Sequence, residues 1–71
     1  MSTYELTMKY DNYGLPKGFK LYVKSNNICA TWPEKEEYLS ALRAVPNWDE
    51  QKNWYLTGNN WSSCWNVTGH K

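Results

Sequence analysis

TWPEKEEYLSALRAV, residues Thr31–Val45, decides the fold class, because its spacing reads as an amphipathic helix. Thr31 and Glu34 stand in the S/T-x-x-E arrangement, in which hydroxyl and carboxylate each satisfy a backbone N–H of the first turn. Pro33 falls where a first turn needs no donor. Glu34, Glu36 and Glu37 put negative charge at the positive end of the helix dipole. Tyr38, Ala41, Leu42 and Val45 follow the i, i+3, i+4, i+7 rule and make one apolar stripe, which Leu39 widens. Pro46 ends the helix, since a residue preceding proline is pushed out of the α region. A narrow stripe containing Ala predicts a helix lying close against a sheet. The three glutamates read as a capped, solvated turn, because acid–base pairs work from a pocket.

Upstream of the helix the pattern changes to period two. Tyr4, Leu6, Met8 and Tyr10 alternate with Thr3, Glu5, Thr7 and Lys9, which predicts a half-buried strand. DNYGLPKG, residues Asp11–Gly18, is dense in turn formers and reads as a loop. Phe19, Leu21 and Val23 then alternate with Lys20, Tyr22 and Lys24, so the two strands form a hairpin with a long loop. Ser25–Asn27 reads as a turn, and Ile28–Ala30 as a short third strand entering the helix.

Downstream, Asn47 and Glu50 repeat the N-cap spacing and predict one helical or 3₁₀ turn. Lys52–Thr57 and Trp61–Thr68 read as a second hairpin around Gly58-Asn59-Asn60. The terminal Gly-His-Lys reads as a frayed end. Register matters here, because a slip of one residue exchanges the two faces of a strand. A two-residue loop gathers Trp54, Leu56, Trp61, Trp65 and Val67 on a core face. A three-residue loop places Trp61 and Trp65 with Tyr55 on the opposite, exposed face. Asn tolerates the positive φ of a type I′ turn, which favours the first arrangement. The expected fold is therefore α+β: a small antiparallel β-sheet of two hairpins, order β-β-(β)-α-β-β, packed against one α-helix. It forms a single domain over residues 1–71.

At 71 residues a single core is only just sufficient. Five Trp, six Tyr and one Phe compensate; each large aromatic buries about 150–250 Å². So small a domain has few fully buried positions, and about two or three of its aromatics are expected to stay exposed. Eight Lys and Arg against seven Asp and Glu give a net charge of +1, which argues against a strongly electrostatic nucleic-acid binder. No apolar run is long enough for a membrane span, and the N-terminus lacks the apolar core of a signal peptide. The expected compartment is cytoplasmic, where Cys29 and Cys64 are expected as reduced, buried thiols. Two N-x-S/T sequons, at Asn60 and Asn66, then read as chance matches.

Nucleophilic catalysis needs a nucleophile, a base and an orienting group in reach of one another. The only His is His70, beside the C-terminus, and two Cys with one His are thin material for a metal site. Phosphate-binding glycine motifs are missing. The chain is therefore expected to be no enzyme and to carry no metal or cofactor. Its aromatic excess points instead to protein binding, since Trp and Tyr bury much area at low entropic cost. Trp48, behind Pro46 in a polar turn, leads the candidates. Tyr13 in the long loop and Tyr55 follow, with Trp61 and Trp65 under the second register. The expected role is an inhibitor or adaptor that occupies a protein partner, of a size that suits a phage or mobile-element protein. A homodimer through an open strand edge is a further option. The alternative is a single-stranded nucleic-acid module, in which Lys20, Tyr22 and Lys24 stack and neutralise a strand, with Lys9 and Lys17 nearby.

Overall fold

The alternating pattern of the N-terminal half builds the sheet. In the computed structural model, which describes residues 2–26 and 31–70, β1 is Ser2–Met8 and β2 is Lys20–Ser25. They pair antiparallel in one uninterrupted register, with Leu6 opposite Leu21 and Glu5 opposite Tyr22. β3, Trp65–His70, pairs antiparallel with the other side of β1. Among the described residues the sheet is thus three-stranded, in the order β2-β1-β3. Tyr4, Leu6, Met8, Leu21 and Val23 turn to the inner face and are buried. The outer face carries Thr3, Glu5, Thr7, Lys20, Tyr22 and Lys24, as period two requires.

Helix α1, Lys35–Arg43, covers the inner face and buries Tyr38 and Leu42. It is shorter than the expected Thr31–Val45, and its cap is displaced by one turn. Trp32 precedes a proline and is therefore disfavoured in the α region, so the helix starts beyond Pro33. Glu34 takes the N-cap with extended backbone, and the capping box closes between Glu34 and Glu37. The Glu34 N–H donates to Glu37 Oε1 at 3.0 Å. At the other end the Ala44 and Val45 amides turn back to Ala41 and Leu42, and Pro46 follows.

The second hairpin does not form. Trp54–Thr57 and Trp61–Cys64 are single 3₁₀ turns, and only Trp65–His70 enters the sheet. The architecture has three described strands in place of the two hairpins of the expected order. Short-range hydrogen bonds explain the difference. Thr57 Oγ1 donates to the Trp54 carbonyl at 2.7 Å, and Ser63 Oγ to the Asn60 carbonyl at 2.7 Å. Hydroxyls that satisfy the backbone three residues back compete with a strand ladder. A 3₁₀ turn also superposes residues three apart, so Trp61 and Cys64 enter the core together.

Three smaller corrections follow. The turn after the helix is organised by Asp49, not Asn47: Asp49 Oδ1 accepts the Gln51 and Lys52 amides at 2.9 and 3.3 Å. Gly69 and His70 are strand residues, not a frayed end, and the His70 ring stacks on Tyr4 with centroids 4.2 Å apart. Tyr10 lies beyond the end of β1 and is exposed instead of inward. The short strand expected at Ile28–Ala30, and with it Cys29, lies outside the described residues. Three aromatics, Tyr10, Tyr22 and Trp54, are exposed.

Candidate aromatic surface

The long loop between β1 and β2 is held down, and this is what assembles the surface. Leu15 enters the core from the middle of the loop. The Trp48 indole N–H donates to the Tyr13 carbonyl at 3.0 Å. Gly14, at φ 81°, lies so close to the segment after α1 that a β-carbon there would stand 2.5 Å from Asn53 Nδ2 and 3.1 Å from Trp48 Cδ1. Only a residue without a side chain permits that approach with that backbone.

Loop and 3₁₀ turn together form a chain of rings. Tyr10 meets Tyr13 edge-on at 6.2 Å. Tyr13 stacks on Tyr55 at 5.3 Å, with the planes 11° apart. Tyr55 contacts Trp54 at 6.0 Å. Offset stacks and edge contacts of this kind are the favoured aromatic geometries. The outer members are the most open: Trp54 is 67% and Tyr10 49% exposed. Partial burial pushes the Tyr13 hydroxyl above its ordinary value, with Cys64, Tyr55 and Tyr10 adding to the effect. It stays a neutral hydrogen-bonding group at neutral pH.

Three of the residues singled out from the sequence, Tyr13, Trp48 and Tyr55, thus converge on one surface although they are far apart in the chain. Trp61 and Trp65 do not join them. Trp65 is 1% exposed and Trp61 9%. Tyr38 stacks on Trp61 at 4.1 Å and meets Trp65 edge-on at 6.0 Å, while Trp32 closes on Trp61 at 5.7 Å. The Trp65 indole donates to the Tyr38 hydroxyl at 3.1 Å, which donates to the Leu56 carbonyl at 2.7 Å. Burial drives the Tyr38 hydroxyl far above its ordinary value, so it remains a neutral donor.

Sequence reasoning missed Tyr10 and Trp54. Tyr10 continues the inward alternation of β1 in sequence, and the hairpin reading places Trp54 on a core face. A strand-end position before a turn-rich loop was the available signal for Tyr10.

The basic residues divide. Lys20, Tyr22 and Lys24 share the outer face of β2, with Tyr22 59% exposed. Lys20 Nζ is paired with Glu5 at 3.1 Å and also donates to Thr7 Oγ1 at 3.1 Å. Lys17 is exposed in the loop, and Lys9 follows β1, its amide bonded to the Cys64 carbonyl at 2.9 Å. Cys64 is a buried free thiol whose pKa is raised by burial. Among the described residues, no three His, Cys, Asp or Glu side chains gather as metal ligands, and no helix is long and apolar enough to cross a membrane. Set against protein-family models, curated proteins and solved structures, the chain matches none.

Proposed function

We propose that this domain binds a protein partner through the aromatic surface and acts as an inhibitor or adaptor by occupying it. One observation carries the reading: Tyr10, Tyr13, Tyr55 and Trp54 form a continuous series of ring contacts whose two ends are open to solvent. Trp and Tyr dominate interface hot spots because their area is buried with few rotors to freeze. Here the inner two rings are already fixed by their stack, so little ordering remains to oppose association. The Trp48–Tyr13 bond anchors this surface to the segment following α1.

The test is capture from host lysate on the tagged protein, with and without nuclease, read by mass spectrometry. The expected result is a discrete protein partner that survives nuclease and is lost with Tyr10→Ala/Trp54→Ala, a variant that keeps the native melting profile. Capture unchanged by that variant would remove the aromatic surface from the reading.

A second reading rests on Tyr22, standing open between Lys20 and Lys24 on one strand face, where a base can stack beside phosphate-binding cations. It expects recovery that vanishes with nuclease and with Lys20→Ala/Tyr22→Ala. The Lys20–Glu5 pair and the near-zero net charge weigh against it.

A further inference from the structure

The two margins of the sheet differ. β3 carries a register shift opposite Glu5 and Leu6, where Thr68 is the extra residue and its hydroxyl donates to the Glu5 carbonyl at 3.3 Å. A bulge of this kind blunts an edge against further pairing. β2 has no such shift, and among the described residues it pairs only with β1.

The direction of its backbone groups follows from the ladder. Next to the paired stretch the Met8 N–H donates to the Phe19 carbonyl at 2.8 Å, and the Lys9 N–H donates to the Cys64 carbonyl at 2.9 Å. Even-numbered residues of β1 therefore bond toward β2 and odd-numbered ones toward β3. Antiparallel pairs alternate, so Leu21 and Val23 exchange bonds with Leu6 and Tyr4. The N–H and C=O groups of Lys20, Tyr22 and Lys24 point away from the sheet. Along this same margin runs an open groove of about 430 Å³, lined by Tyr22 and Lys24 of β2 and by Glu37, Ser40 and Ala41 of α1.

We propose that the β2 margin accepts an extended segment of a partner protein as a fourth strand, with acidic side chains on the outer face and small apolar ones toward α1. The chemistry of the margin selects this occupant. Successive side chains of an added strand fall alternately on the two faces. On the outer face they stand beside Lys20, Tyr22 and Lys24. Lys20 is shared with Glu5, while Lys24 lies opposite the uncharged Thr3 and enters neither ion pair found among the described residues. A carboxylate beside Lys24 completes a cross-strand pair of opposite charge. On the groove face the added residues meet Ser40 and Ala41, which leave room for small side chains. Glu37 does not repel them strongly, since its carboxylate already accepts the Ser25 hydroxyl at 2.5 Å and the Asn26 and Glu34 amides at 3.0 Å. A second copy fits less well: pairing two β2 strands about Tyr22 sets Lys20 directly opposite Lys24 of the other chain, and like charges in that position oppose pairing. This margin is separate from the aromatic rings, so the proposal stands or falls independently of them.

The probe is a capped heptapeptide alternating valine and glutamate, titrated into the isotope-labelled protein and followed by amide chemical shifts. Saturable shifts are expected at Lys20, Tyr22, Lys24 and along Glu37–Ala41. Two versions N-methylated at alternate residues separate strand pairing from simple charge attraction, since only one of them blocks the bonds to β2. One is expected to bind at least about tenfold more weakly, and the other to bind nearly as well as the parent. Replacing glutamate by lysine in the peptide should weaken binding by a similar factor, and Lys24→Glu in the protein should reverse that preference. Four results would each overturn the proposal: no saturable shift, equal binding by the two methylated peptides, shifts centred on Tyr13 and Tyr55, or concentration-dependent shifts of the β2 amides without peptide. The last would assign the margin to a second copy of the chain.

Discussion

Two aromatic groups of similar size lie in this molecule, and they have opposite consequences. Around Tyr38, the rings of Trp32, Trp61 and Trp65 pack together at the core, and the Trp65 indole N–H and the Tyr38 hydroxyl are spent in a chain that ends on the Leu56 carbonyl. Around Tyr13, the rings of Tyr10, Tyr55 and Trp54 touch in a comparable pattern but run outward into solvent. The first group joins α1, β3 and both 3₁₀ turns, so its loss is a loss of fold. The second joins a loop to one turn, and its outer members contribute little to stability. Ring contacts alone do not separate packing from binding. Burial and the fate of the hydrogen bonds do.

Substitutions should drive the two groups apart. Trp65→Ala empties a fully enclosed site and should cost about 3–5 kcal/mol. That approaches the whole stability expected for so small a domain, roughly 3–5 kcal/mol. Chemical denaturation should find this variant largely unfolded. Tyr38→Phe keeps the ring but leaves the Trp65 indole and the Leu56 carbonyl without their partner, which should cost about 1–3 kcal/mol. A melt indistinguishable from wild type would show that the hydrogen-bonded chain through Tyr38 is not what unites the inner group.

Trp48 lies between the two groups, half-buried and bonded to the loop. Trp48→Ala should lower stability by an intermediate amount, about 1–2 kcal/mol, and speed amide exchange in the Asp11–Gly18 loop before any change in β1. If the variant unfolds outright, Trp48 belongs with the inner group. Trp54→Ala should shift stability by less than about 0.5 kcal/mol, since it removes an exposed ring.

A contact outside both groups supplies a control. The Ser25 hydroxyl and the Asn26 amide hold the Glu37 carboxyl below its ordinary value. A carboxylate whose pKa is lowered by folding stabilises the protein above the unfolded-state value, and that contribution is lost as the pH falls through the lowered one. The wild type should therefore lead Glu37→Gln at neutral pH, and the gap should close on acidification below the usual carboxylate range. Thermal melts across that range check the sign. A gap that widens in acid would reverse the assignment.

Much of the local structure was legible in the residues. Period two named the inward faces of β1 and β2 correctly from Tyr4 to Met8 and from Leu21 to Val23. The stripe from Tyr38 to Leu42 located the helix face, and Tyr13, Trp48 and Tyr55 stood out before their convergence was visible. The segment Lys52–Cys64 was not legible as it folds. Its Trp, Tyr, Leu and Thr have strand-forming character, but strand propensity is a preference for a half-buried pleated surface that must exist elsewhere in the fold. β1 offers two sides. One is taken by β2 and the other by Trp65–His70. With both sides of β1 taken, Trp54–Thr57 closes on its own carbonyls, through the Thr57 hydroxyl and the Gly58 amide.

The amino-acid sequence by itself determined the elements whose cause is local: alternation for β1 and β2, the 3.6-residue stripe and Pro46 for α1, turn chemistry for the long loop. Only the tertiary structure decided the pairing of β3 and which tryptophans are core. Each of those depends on a contact between residues distant in the chain. β3 is fixed by β1, and Trp65 by Tyr38. Side-chain periodicity specifies a face, but a face becomes buried only when something far away in the chain comes to cover it.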